Sequence, residues 1–201
     1  MKKYFFNIII SIIIFFTIIG LWSISIYNNL ILLNEKIKNQ WGQVENVYQR
    51  RLDLIPNLVN TVKGAASFEN KTLTQIVEAR SKANSIQLNS NELDQNQINK
   101  FEKTQENLNN YVGKLLVVVE NYPDIKSTKN FSELQNQLEG TENRINVERN
   151  RFNEQVGNFN TYRNQFPKII IANFFDKFKE KGYFKSQNGS NKSPLIDFSH
   201  Y

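Results

Sequence analysis

The chain has 201 residues with few Gly (8) and Pro (4) and no Cys, which excludes disulfides and thiolate chemistry and favours long helices over a turn-rich β protein. Its formal charge is +6, from 25 Lys and Arg against 19 Asp and Glu. Without the two lysines at the extreme N-terminus the balance is 23 against 19, a weak field that suits mild attraction to an anionic surface rather than nucleic-acid binding.

The first element runs from Tyr4 to Tyr27, 24 residues without Lys, Arg, Asp, Glu or Pro. As a helix it is about 36 Å long, enough to cross a hydrocarbon core of about 30 Å. It is longer than the apolar core of a secretory signal, and its only late small-x-small site is Ser23-Ile24-Ser25. The absence of Cys excludes a lipoprotein signal. The expectation is an uncleaved transmembrane anchor over residues 1–29, with Trp22 and Tyr27 at the membrane interface. Lys2 and Lys3 lie tight against the N-terminal end of the span, whereas the nearest charges beyond it are Glu35, Lys36 and Lys38. The positive-inside rule then puts the N-terminus inside and the large domain outside.

Beyond the anchor, Leu30, Leu33, Ile37, Trp41, Val44, Tyr48, Arg51, Ile55, Leu58 and Val62 recur at steps of three and four, one stripe of a helix. Pro56 lies inside the stripe without disturbing its phase. The spacing predicts one continuous helix, kinked near Leu52–Pro56 and ending around Gly64 to Ser67. A second helix is expected over Lys71 to Asn84. A third runs from about Asn91 to Asn121, on the stripe Ile98, Phe101, Gln105, Leu108, Val112, Leu115 and Val119. Tyr122-Pro123-Asp124 ends it. A fourth helix is expected to start at Asn130, with Glu133 completing a capping-box-like pair, and to end at Pro167. Its stripe places Phe131, Phe152, Phe159 and Phe166 in a core. Ile169 to Phe178 reads as a short helix or hook, and residues 186–201 as a mobile polar tail.

Helices with one apolar stripe each must bury it against one another, and short connections make neighbours antiparallel. The fold class is therefore all-α: an elongated antiparallel bundle of about four helices over residues 30–185, behind one N-terminal transmembrane helix.

Chemistry-bearing residues are few. His200 is the single His and lies in the tail, so ordinary zinc sites and His-activated nucleophiles lack their parts. Glycines are isolated and form no phosphate loop. No catalytic, cofactor or metal residue is assigned. Arg51, Arg80, Glu148 and Arg163 occupy core-facing phases. They either snorkel from the margin of the stripe or form a polar core layer in which Arg51 or Arg80 pairs with Glu142 or Glu148. Such a layer fixes helix register more than it adds stability. The basic and aromatic run Phe174 to Lys185 suits membrane-surface contact or helix docking.

Several stretches resemble the LemA family. They are Arg50 to Val59 with Thr61-Val62-Lys63-Gly64; Glu78-Ala79-Arg80; Tyr122-Pro123-Asp124; Asn130-Phe131; Leu134-Gln135 with Leu138; and Thr141-Glu142-Asn143. Arg149 with Phe152-Asn153, Asn160, Phe166-Pro167, Gly182-Tyr183-Phe184 and Pro194 to Phe198 continue the resemblance. One departure is Ala65-Ala66-Ser67-Phe68-Glu69, where the family usually has Tyr-x-x-His-Glu. The resemblance implies a bacterial membrane protein with one N-terminal span and a helical-bundle domain, and no established reaction. The expected role is an interaction or scaffold module, not an enzyme. Its partners are the lipid bilayer, an unidentified protein and, compatibly, further copies in an oligomer. The alternative is a small-molecule or lipid-binding sensor, which would need a sizeable cavity at the polar layer.

Overall fold

The structure is a computed structural model and describes residues 2–63 and 70–185. Among them the secondary structure is helical without strands: α1 (Lys2–Lys63), α2 (Asn70–Ser85), α3 (Gln95–Val119), the single turn α4 (Pro123–Lys126), α5 (Lys129–Asn164) and α6 (Lys168–Asn173). A 3-10 turn follows at Asp176–Phe178. The all-α reading holds. The expected end of the first helix near Gly64 to Ser67, the departure at Ala65 to Glu69, and the polar tail with His200 lie outside the described residues.

α1 is 62 residues long, so the apolar stretch and the first bundle helix are one element. From Tyr4 to Trp22 the side chains are exposed on every face. This part is long and apolar enough to cross a membrane. Burial begins at Ile26 and follows the stripe through Leu30, Ile37, Trp41, Val44, Tyr48, Ile55, Leu58 and Val62. One position differs from expectation: Asn34 is buried and Leu33 is only half-buried. The stripe therefore steps from Leu30 to Asn34 to Ile37, with the same helical phase.

Pro56 sits inside α1, and the helix runs through it. Proline cannot donate to the carbonyl four residues back, that of Leu52. Arg80 of α2 fills the vacancy, donating its Nε–H to the Leu52 carbonyl at 2.8 Å. Residues near the proline take no part: Asp53 accepts from Gln49, and the Asn57 carbonyl accepts from Thr61.

Local chemistry moves two helix starts. α3 begins at Gln95 rather than Asn91, because the Asp94 carboxylate accepts the Gln97 amide at 2.8 Å as N-cap. α5 is capped by Thr128, whose Oγ1 accepts the Phe131 amide at 3.3 Å. The expected Asn130–Glu133 capping pair is not formed, since Asn130 is already inside the helix.

α1 and α5 pack antiparallel along most of their shared length, while α2 and α3 form a second antiparallel pair. Two apolar cores result. The first, nearer the apolar end of α1, gathers Ile26 to Tyr48 of α1, Leu93, Ile98 and Phe101, and Ile145, Phe152, Val156 and Phe159 of α5. The second joins Leu52 to Val62 with Leu73, Ile76, Leu108, Leu115, Val119, Phe131 and Leu138.

α3 starts too far along the bundle to cover the lower part of the first core. The segment after α6 does so instead: Phe178, Lys181 and Phe184 are buried there. Its backbone is held by two asparagines of α5 in the manner of strand pairing. Asn160 exchanges hydrogen bonds with the Lys181 backbone at 2.9 and 3.0 Å. Asn153 does the same with Phe184 at 2.8 and 2.9 Å. Phe184 stacks on Trp41 with centroids 6.1 Å apart and meets Phe152 edge-on. The Phe174 to Lys185 run thus divides into a docked half and an exposed half. Phe166, expected in the core, is 82% exposed, because α5 ends at Asn164 and the chain turns away.

Candidate functional site: a buried arginine between two cores

The stripe of α1 points Arg51 inward at the seam where the two apolar cores meet. Tyr48 closes the first core and Leu52 opens the second. Only 3% of Arg51 is exposed. Its Nη1 donates to Glu142 of α5 at 2.8 Å. Its Nη2 donates to the Gln105 side chain of α3 at 2.5 Å and to the Gln105 carbonyl at 3.2 Å. The guanidinium lies over the Tyr48 ring at 5.0 Å. Thr104 and Thr141 are buried beside it and return their hydroxyls to their own helix carbonyls. Three helices are thereby tied at one level by a polar layer.

The layer is not fully satisfied. Arg51 Nε is buried without a hydrogen-bond partner. A cleft of about 300 Å³ opens on the same level, lined by Tyr48, Arg51, Gln105, Glu142, Asn146 and Arg149 among others. Arg149 pairs with Glu102 across α3 and α5. Arg149 also donates to the Lys185 carbonyl at 2.6 Å and covers the Phe184 ring at 4.8 Å. The walls carry cations (Arg51, Lys103, Arg149, Lys185) and carboxylates (Glu102, Glu106, Glu142) together. Such a mixed lining suits a small polar solute bearing both signs, and the volume lies at the lower end of ligand clefts.

Burial pushes the Tyr48 phenol up from its ordinary value. Arg149 and Arg51 oppose that shift, and Glu142 and Glu102 add to it. Burial likewise lowers the Lys181 ammonium, with Lys38 adding to the shift. Lys181 Nζ is held on the Asn91 carbonyl at 2.6 Å.

Of the four residues expected in the layer, the structure brings Arg51 and Glu142 together and separates the other two. Arg80 serves the Leu52 carbonyl. Glu148 accepts from Gln40 at 2.6 Å and from Arg151 at 2.9 Å. Arg163, also at a core-facing phase, reaches the Phe178 carbonyl at 2.5 Å. Trp22 is 42% exposed on the apolar part of α1. Tyr27 is half-buried against the Phe175 and Phe178 rings. Gln105 was visible as a polar residue within the α3 stripe. The Glu102–Arg149 pair had no such signal, since neither residue sits at a core-facing step.

The LemA family model matches residues 40–198, most of the chain. The chain belongs to the LemA family. No curated protein matches it. The part matched as LemA contains the whole polar layer, the asparagines that hold the C-terminal segment, and that segment itself. The apolar stretch Tyr4–Tyr27 lies before it.

Proposed function

We propose that this LemA-family chain is a single-pass bacterial membrane protein whose bundle works as an interaction or scaffold module held at a set height above the bilayer. The observation that supports this reading is the continuity of α1. Its exposed apolar part passes into the buried stripe with no intervening linker. A helix rises about 1.5 Å per residue with little freedom to swing. A bundle attached this way is fixed in height and direction, which suits holding a partner at the membrane rather than searching for one.

The test inserts a short Gly-Ser linker after Asn29 and maps photo-crosslinks from exposed positions of α5 in intact cells. A discrete adduct that is lost or displaced with the linker supports the scaffold. An adduct pattern indifferent to the linker counts against it. Carbonate extraction tests the anchor, since the full chain should stay with the membrane. The charges at Lys2 and Lys3 favour an extracytoplasmic bundle. Protease added to spheroplasts should then digest it, and digestion only after lysis would reverse the orientation.

A second reading, a sensor of small polar solutes, is favoured by the cleft at the Arg51–Glu142 layer. A thermal-shift screen of zwitterionic solutes against the detergent-solubilised chain tests it. A stabilising solute should lose its effect in Glu102→Gln. Retention of the full effect in that variant would place binding elsewhere.

A further inference from the structure

The base of the bundle carries an apolar surface that the packing of the described residues leaves exposed. Phe166, Ile170 and Phe174 are 82%, 51% and 79% exposed. Ile170 and the C-cap residue Phe174 are four residues apart and share one face of α6, and Phe166 is exposed in the turn just before it. The other face of α6 is packed into the first core through Ala172 and Ile171. α6 therefore carries apolar residues on both sides, with its outer side turned away from the first core.

The level of this surface follows from the antiparallel pairing of α1 and α5. Arg51 meets Glu142, Gln40 meets Glu148, and Asn29 lies beside Tyr162. Each step toward the C-terminus of α5 is a step toward the N-terminus of α1. Phe166 lies one turn beyond Tyr162, level with the turn of α1 around Ser25. That turn belongs to the apolar stretch. The rings of Phe175 and Phe178 confirm the height, meeting Tyr27 with centroids 5.0 and 5.6 Å away.

Two lysines complete the pattern. Lys177 donates from Nζ to the Tyr27 hydroxyl at 2.6 Å. Lys168 Nζ sits 3.8 Å from the centroid of the Tyr162 ring. Exposed aromatic and aliphatic residues rimmed by lysine, at the end of an apolar span, match the interfacial layer of a bilayer in both polarity and charge.

We propose that Phe166, Ile170 and Phe174 at the base of the bundle insert into the headgroup and upper acyl region of the same bilayer that α1 crosses. The chain then holds the membrane at two places, a span and an interfacial foot, which stops the bundle from tilting about α1. The inference rests on the anchor reading, and the experiment separates the two.

The chain has no native Cys, so single cysteines report one site each. I14C, F166C, F174C and V117C of the full chain are labelled with an environment-sensitive fluorophore and reconstituted in phosphatidylethanolamine–phosphatidylglycerol vesicles. Lipids with a nitroxide near the headgroup or at the chain end measure depth. Positions 14, 166, 174 and 117 are exposed, so circular dichroism of the labelled variants should match the parent. The expected result is a blue-shifted emission for I14C quenched most by the chain-end nitroxide. F166C and F174C should be blue-shifted and quenched most by the headgroup-proximal nitroxide. V117C, on the distal part of α3, should be water-like and unquenched. Water-like F166C and F174C beside a membrane-embedded I14C would overturn the foot and leave the anchor standing. A water-like I14C would overturn the anchor. Blue-shifted labels at positions 166 and 174 without nitroxide quenching would show a protein or a second copy covering the surface, which also overturns the proposal.

Discussion

Arg80→Met removes the donor that fills the Leu52 carbonyl beneath Pro56. A hydrogen bond to a charged group contributes about 1.5–3 kcal/mol. Arg80 is half-buried, so solvent screening puts its loss in the lower half of that range. In the Pro56→Ala background the new backbone N–H reaches the Leu52 carbonyl itself. Arg80→Met should then cost about 0.5 kcal/mol, as at an ordinary surface site. The cycle should return a coupling of about 1–2 kcal/mol between residues 56 and 80. Pro56→Ala alone should gain less than the ~3 kcal/mol that helix propensity suggests, because it makes the Arg80 bond redundant. Urea unfolding of the 28–201 fragment, followed by far-UV circular dichroism, measures all four corners. Additive single effects would refute the idea that the tertiary contact repairs the proline, and a full ~3 kcal/mol gain from Pro56→Ala would do so independently.

Glu142→Ala leaves the Arg51 charge buried with only Gln105; half-exposed Glu142 discounts the usual cost of breaking a buried pair to about 2 kcal/mol, whereas Glu142→Gln should cost under about 1 kcal/mol. Equal losses in urea midpoints for the two variants would mean that the charge is not the issue. Gly182→Ala should destabilise by at least ~1–3 kcal/mol, since its Cβ would lie 2.6 Å from the Gln95 Cα, which is backbone and cannot rotate away. Gly140→Ala, with nothing near its Cβ, should instead stabilise by about 0.5–1 kcal/mol, and thermal melts that rank the pair the other way would contradict the packing described. The raised Tyr48 phenol makes the folded state hold its proton longer than the unfolded chain. Its contribution is complete below the ordinary tyrosine pKa of about 10 and is lost as pH rises through the higher folded value. Tyr48→Phe should flatten the alkaline fall in stability, and an unchanged alkaline slope would remove Tyr48 as its source.

The sequence by itself determined the elements and their inward faces. Twenty-four mostly apolar residues without a charge form a stretch long enough to cross a membrane, and the three-and-four spacing from Leu30 to Val62 reads as a helix. The same spacing already turned Arg51 and Gln105 toward the core. It could not say which carboxylate would meet Arg51, because Glu142 and Glu148 lie on the same helix and differ only in its register against α1. That register is decided by how two apolar cores pack on either side of the layer. Arg80 shows the same division. Its phase was readable, yet its partner is a carbonyl 28 residues away, freed by a proline on another helix. The C-terminal aromatic run was the least legible part. Phe174 and Phe178 are alike in composition, and burial of one but not the other follows from where α3 begins and how much of the first core it leaves open. A local pattern encodes which face is apolar. Only the assembled helices decide how much of that face remains to be covered, and by what.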